Sequence, residues 1–265
     1  MTVLDDIVAG VREDLEARRR QAPLSEVIDR ARSAAPARAF DRSADFGVIA
    51  EVKRRSPSRG DLADIPDPGT LAGLYAAGGA RAISVLTESR RFSGSLADLD
   101  AVRAAVDIPV LRKDFMVDEY QFHEARAHGA DLVLLIVAAL EPAQLGEFHV
   151  LATDLGMTAL VETHNRAELE IAAELGADLV GVNTRNLKDL SVDTARFSPL
   201  AELAPSGATL VAESGVTSET DVVGYAASGA DLVLVGEALV TGGDPRAAVA
   251  SFTATGRTHR AVSAS

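Results

Sequence analysis

Cysteine is absent from this 265-residue chain. That excludes disulfides, thiolate nucleophiles, zinc–thiolate sites and Cys-ligated iron–sulfur clusters. Aromatic residues are scarce, at 4%, so a core must be assembled mainly from Val, Leu, Ile and Ala. No apolar run approaches the roughly 20 residues that a membrane span needs. The opening turns already carry Asp5, Asp6, Glu13, Asp14 and Glu16, which leaves no secretory h-region. A cytoplasmic protein without a membrane partner is expected. Basic charge is also in short supply: 26 Lys and Arg face 39 Asp and Glu, a net charge of −13. Nucleic acid is therefore not an expected partner, since phosphate backbones are held by dense basic surfaces. An anionic small molecule would need a local basic patch in a cleft, where low-dielectric walls focus the field. Lys53, Arg54, Arg55 and Arg59 form such a patch near a predicted strand end. The five histidines (His123, His128, His149, His164 and His259) show no metal-ligand spacing and fall mostly in helical patterns. They read as surface or packing residues, and no metal is expected.

What is present is the balance of an ordinary globular chain, with 47% hydrophobic and 25% charged residues. An internal repeat sets the architecture. Gly-Ala-Asp-Leu-Val occurs at 129–133, 176–180 and 229–233, with a weaker copy, Gly-Ala-Arg-Ala-Ile, at 79–83. The intervals of 50, 47 and 53 residues each hold two βα units of about 25 residues. In each copy the Gly reads as a helix C′ residue and the apolar run after it as a buried parallel strand. Further apolar runs lie midway, at Pro109–Arg112, Thr158–Val161 and Thr209–Ala212, and Val48–Val52 precedes the series. Strands are thus predicted near 48–53, 82–86, 109–113, 131–137, 158–162, 179–183, 209–213 and 231–235. Between them lie helix starts: proline at N1 in Glu141-Pro142 and Asp244-Pro245, and a capping box from Ser218 to Asp221. Eight near-equal units favour a closed (β/α)8 barrel of the α/β class, and a Gly-x-Gly-x-x-Gly after the first strand is missing. The predicted barrel spans 48–254. Residues 1–47 form a helical extension, with Val3, Leu4, Ile7, Val8, Val11 and Leu15 at helical spacing, set to close the barrel bottom or lean over its mouth. Residues 255–265 are expected to fray.

Active sites of such barrels gather at the C-terminal ends of the strands. Those ends carry Glu51 and Lys53, Thr87 and Glu88, Lys113 and Asp114, Glu162, Asn183 and Arg185, Glu213 and Ser214, then Gly236. So many charged groups around one axis are costly unless they pair or act on a ligand. Glu51 and Lys53 share a strand face, as do Asn183 and Arg185. Taken alone, Glu51 and Lys53 could equally be a solvated ion pair. Glu88 and Asp114 read as structural, and Arg54, Arg55 and Arg59 as exposed loop charges. A phosphate group fits the loops after strands 7 and 8, Glu213-Ser214-Gly215-Val216 and Val235-Gly236-Glu237-Ala238. There Gly215 and Gly236 allow close backbone approach to an anion.

Six strings carry a closer resemblance: Ile49-Ala50-Glu51-Val52-Lys53-Arg54-Arg55-Ser56-Pro57-Ser58, Ser84-Val85-Leu86-Thr87-Glu88, Leu111-Arg112-Lys113-Asp114-Phe115, Leu160-Val161-Glu162, Gly181-Val182-Asn183-Thr184-Arg185-Asn186-Leu187 and Val211-Ala212-Glu213-Ser214-Gly215-Val216. Together with the Phe92-x-Gly94-Ser95 loop, they make the chain resemble the indole-3-glycerol phosphate synthase family of tryptophan biosynthesis over nearly its whole length. No catalytic position departs from the family pattern, although Glu237 follows Gly236 where some members have Ser. The resemblance implies conversion of 1-(2-carboxyphenylamino)-1-deoxyribulose 5-phosphate to indole-3-glycerol phosphate, with release of carbon dioxide and water. It implies Lys113 as general acid for ring closure, Glu162 in the proton transfers of dehydration, and Glu51 in support. Lys53 would lie between phosphate and carboxylate, Asn183 would bind a hydroxyl, and Arg185 and Glu213 would complete the charge network. Ser56, Phe92, Phe115 and Leu134 would shape the pocket, with Ser214 beside them, while Gly215, Gly236 and Glu237 would hold phosphate. No organic cofactor is implied, and association with other tryptophan-pathway enzymes is left open. Two other readings stand beside this one: a sugar-phosphate isomerase or Schiff-base aldolase on the same barrel, and a non-catalytic phosphate-binding scaffold.

Overall fold

In the computed structural model the described residues are 2–42, 45–56, 60–61, 65–187 and 189–260. Eight parallel strands close into a barrel: β1 (Gly47–Val52), β2 (Ala82–Leu86), β3 (Val110–Lys113), β4 (Leu132–Ile136), β5 (Thr158–Thr163), β6 (Leu179–Asn183), β7 (Thr209–Glu213) and β8 (Leu232–Val235). Each strand pairs with its chain neighbours, and β1 closes on β8 with Gly47 opposite Leu232. The (β/α)8 expectation holds, with each predicted strand in place. A short antiparallel ribbon, Arg55–Ser56 with Gly60–Asp61, follows β1 and was not predicted.

The repeat has a physical explanation at the bottom of the barrel. Gly79, Gly129, Gly176 and Gly229 all have left-handed backbones, with φ of 90, 77, 71 and 93°, so each ends its helix as a C′ residue. In two of the copies the Asp two positions later ties the preceding strand. Asp131 accepts from the amide of Val110, the first residue of β3, at 2.9 Å. Asp231 does the same for Leu210 in β7 at 2.6 Å. One sequence motif thus both turns the chain and stitches adjacent strands together.

Side-chain alternation splits the core into two layers. Outward residues such as Val48, Ile83, Val133 and Val180 pack against the surrounding helices. Inward residues such as Ile49, Leu111, Leu132, Leu160 and Val211 fill the barrel. The last inward positions, toward the C-terminal mouth, are charged or polar: Glu51, Lys113, Glu162, Asn183 and Glu213. The site rests on a floor of aliphatic side chains.

The extension both covers the mouth and closes the bottom. Helix α1 (Val3–Gln21) starts at a capping box between Thr2 and Asp5, and its Ile7 and Val11 join the inward cluster. Helix α2 (Leu24–Ser33) follows. The chain then passes beneath the barrel, where the Arg38 amide donates to Asp131 at 2.7 Å, Phe40 lies against the Arg81 guanidinium, and Arg42 pairs with Asp178. At the far end the fraying prediction needs correcting. The last helix, Pro245–Arg260, runs through Thr255 to Arg260. Gly256 lets it stay packed, because a Cβ there would lie 2.0 Å from the Phe46 ring. Residues 261–265 of the predicted tail lie outside the described residues.

Candidate active site

A cavity of about 350 Å³ opens at the C-terminal mouth. The predicted site residues converge on it: Glu51, Lys53, Ser56, Phe92, Lys113, Phe115, Leu134, Glu162, Asn183, Arg185, Glu213, Ser214, Gly215, Gly236 and Glu237 all line its wall. Val3, Leu4 and Ile7 of α1 lie over it, which gives the mouth an apolar rim. Phe92 and Phe115 form a tilted pair with centroids 6.3 Å apart, a geometry suited to flank a planar ring.

Lys113 is the centre of the charge network. Its Nζ stands 3.0 Å from Glu213 Oε2 and 3.2 Å from Glu162 Oε2. Burial works against its charge, but Glu213, Glu162 and Glu51 outweigh it and raise its proton affinity above that of an ordinary lysine. The two carboxylates part company. Burial and the charge of Glu162 push Glu213 up to about 8 against the pull of Lys113. Burial also opposes the charge of Glu162, yet Lys113, His164 and Asn183 hold it well below the usual carboxylate range. The proton affinities of two acids on one lysine are thus pushed in opposite directions, the separation that acid–base sites use. Across the mouth, Lys53 Nζ donates to Glu51 Oε1 at 2.5 Å.

The third charge layer is built by backbone. Asn183 Oδ1 accepts from Ser214 Oγ at 2.9 Å and from the Arg185 amide at 3.0 Å. Ser214 holds a left-handed φ of 68° and Gly215 one of 80°. A strained non-glycine residue persists only where its surroundings fix it. Here Tyr225 does so, donating to the Ser214 carbonyl at 2.9 Å. Gly236 is needed for a different reason: a Cβ would lie 2.9 Å from Glu51 Oε1. The loop after β6 is fastened by Arg185, whose Nη1 donates to Leu190 O at 3.0 Å.

Several residues take the structural roles expected of them. Glu88 accepts from the amides of Arg90, Arg91 and Phe92 and so shapes the loop that carries Phe92. Asp114 accepts from Thr87 at 2.6 Å and from Arg112 at 3.1 Å, fixing the turn after Lys113. The basic patch is not a unit. Arg54 turns away from the cavity to pair with Asp98 at 2.9 Å, and Arg55 is exposed. Pro57, Ser58 and Arg59 lie outside the described residues.

Three residues were missed. Tyr225 sits mid-helix in a pattern that reads as packing, and Gly181 reads as a weak point in a strand. His164, expected among the surface or packing histidines, is buried, with Nε2 3.2 Å from Glu162 Oε1 and Nδ1 2.9 Å from Glu168. Its position just past the end of β5 carried no signal that would have turned it toward Glu162. Among the described residues, no group of three or more His, Asp and Glu side chains is placed to hold a metal ion. No described helix is long and apolar enough to cross a membrane.

Comparisons with known proteins show the family. The family model "Indole-3-glycerol phosphate synthase" matches residues 4–252. The chain belongs to the indole-3-glycerol phosphate synthase family. A relative of that name from Arthrobacter sp. (strain FB24) is 61% identical, with 97% of each chain covered. Another of that name, from Mycolicibacterium gilvum (strain PYR-GCK), is 59% identical over 96% of this chain and 95% of its own. Membership makes the chain an enzyme of tryptophan biosynthesis. Among solved structures, 3-hexulose-6-phosphate synthase from Salmonella typhimurium superposes with a TM-score of 0.67 at 17% identity, covering 81% of this chain and 100% of its own. That likeness speaks to the barrel alone.

Proposed function

We propose that this pocket closes the indole ring of 1-(2-carboxyphenylamino)-1-deoxyribulose 5-phosphate, releasing carbon dioxide and water to give indole-3-glycerol phosphate. The observation that carries the reading is Lys113, a half-buried ammonium aimed into the cavity between two carboxylates of different proton affinity. The ring carbon that bears the carboxylate attacks the ribulose C2 carbonyl, and Lys113 protonates the oxygen as negative charge develops there. The C–C bond to the carboxylate then breaks, and its electron pair restores conjugation in the ring. Glu162 takes a proton from the C1 methylene and hands it to the hydroxyl, which leaves as water. Proton donors and acceptors positioned in this way typically contribute about 10²–10⁴-fold each.

The remaining residues bind. Phe92, Phe115, Leu134 and Ser56 enclose the aromatic ring. Lys53, held by Glu51, lies between phosphate and carboxylate, and Asn183 accepts or donates to a substrate hydroxyl. Arg185 shapes the loop that encloses it. Ser214, Gly215, Gly236 and Glu237 line the side where phosphate docks, around the left-handed turn at Ser214 and Gly215. The substrate supplies its own electron sink, so no organic cofactor is required. Supplying the substrate to purified protein tests this reading. Growth of indole fluorescence is expected, and binding without turnover would remove it.

A further inference from the structure

Ring closure, decarboxylation and dehydration do not balance in protons. The carbonyl oxygen leaves as water and needs two protons, and the C1 methylene gives up one. The carboxylate leaves as neutral carbon dioxide. Each turnover must therefore draw one proton from solvent into a pocket roofed by α1 and the Phe92 loop.

Behind Glu162, on the side away from the cavity, stands a row of titratable groups that binding does not use. His164 is buried at 7% exposure and does not line the cavity. Its Nε2 faces Glu162 Oε1 at 3.2 Å, the oxygen opposite the one Lys113 holds. Its Nδ1 faces Glu168 Oε2 at 2.9 Å on helix Arg166–Glu174, and that side chain is partly exposed, at 15%. The His164 backbone is held on both sides: its amide donates to Glu168 at 2.7 Å, and Arg196 donates to its carbonyl at 2.8 Å. The charged groups around it are therefore Glu162 on β5, Glu168 on the helix and Arg196 on the following turn, with Lys113 beyond Glu162. Burial disfavours its charge, but the two carboxylates outweigh it and raise its proton affinity to about 9. The bland reading is a histidine that caps a helix. That task is already carried out by Asn165, whose side chain accepts from the Glu168 amide at 3.1 Å, and it does not explain an imidazole turned toward Glu162.

We infer that His164 is a positioning residue that relays the consumed proton from the Glu168 side to Glu162. The inference rests on the reading of Glu162 as a proton-transfer group. In the relay, the imidazolium passes its Nε2 proton to Glu162 Oε1 as Glu162 Oε2 hands one to the Lys113 amine left neutral by ring closure. It regains one at Nδ1 from Glu168 and the solvent, so no net charge accumulates. Each ring nitrogen faces its own carboxylate, Nδ1 through a hydrogen bond to Glu168 and Nε2 through an ion-pair contact with Glu162.

The test compares Glu162→Gln, His164→Asn, Glu168→Gln and the His164→Asn/Glu168→Gln pair, all checked for native circular dichroism. With His164→Asn, kcat is expected to fall about tenfold or more, short of the roughly 10²–10⁴-fold of a group that meets substrate directly, with KM unchanged. Its kcat should climb with the concentration of a small acidic buffer such as imidazole, while the wild type stays flat. The pair should lose no more than His164→Asn alone, since a broken relay cannot be broken twice. A purely structural histidine would move KM and stability and give no buffer dependence, and that result overturns the relay. Full activity of Glu162→Gln would sink the reading beneath it as well. Loss in Glu162→Gln with full activity in His164→Asn removes the relay alone.

Discussion

Gly181 stands directly against Glu213: a Cβ on the glycine would lie 2.1 Å from the carboxylate oxygen Oε1. The glycine in the middle of β6 is therefore what allows Glu213 to lie flat beneath Lys113. Gly181→Ala is expected to push the carboxylate aside and loosen the ammonium it holds. Overpacking of this kind typically costs about 1–3 kcal/mol. A drop in kcat larger than the change in melting temperature explains is the expected result. Unchanged kcat in the folded variant would show that the placement of Glu213 is incidental.

Tyr225 and Gly215 together support the left-handed turn at Ser214. Tyr225→Phe removes the donor to the Ser214 carbonyl and should cost about 1 kcal/mol, the usual net worth of one hydrogen bond. Gly215→Ala places a Cβ in a backbone of φ 80° and within 2.5 Å of Thr194 Cγ2. Both variants should raise KM and weaken inhibition by inorganic phosphate, while kcat falls less. Isothermal titration with phosphate checks this, and unchanged phosphate affinity in Gly215→Ala places the anion elsewhere.

Because His164 is raised from 6.5 to about 9 in the fold, its protonation also stabilises the fold. The contribution is fully present below pH 6.5 and is lost as pH rises through about 9. Wild-type melting temperature should therefore fall toward that of His164→Asn between those two values. Parallel melting curves across the range would mean that the imidazole is neutral in the fold.

Much of this was legible in the sequence, for reasons that particular residues show. The strands were readable because parallel strands buried on both faces appear as apolar runs, and because each repeat opens with a left-handed Gly, followed at Asp131 and Asp231 by a carboxylate that ties the preceding strand. Lys113, Glu162 and Glu213 were readable because a charge that ends an apolar run in this fold has nowhere to point but the mouth. His164 was not. Its partner Glu168 lies a helical turn beyond it, and whether an imidazole faces outward or toward Glu162 is decided by the strand end, which spacing does not resolve. The role of Gly181 was hidden too, since the need for a missing side chain is visible only when Glu213 from another strand is in place. The ribbon after β1 was unreadable because two-residue strands carry no periodicity. The final helix outran its polar composition because Gly256 accepts the Phe46 ring.

In the proposed mechanism Lys113 is a proton donor that never bonds to carbon. A positioned general acid typically contributes about 10²–10⁴-fold, so Lys113→Ala should lose that much kcat and disturb KM far less. Lys113→Arg should not rescue it, because a guanidinium gives up its proton poorly.

The most direct measurement follows indole fluorescence, carbon dioxide and intact chain mass in one reaction of purified protein, with borohydride added during turnover. The account predicts one carbon dioxide per indole from the wild type, loss of both from Lys113→Ala and an unchanged chain mass. A substrate-sized mass increase mapped to Lys113, or full turnover by Lys113→Ala, would contradict it.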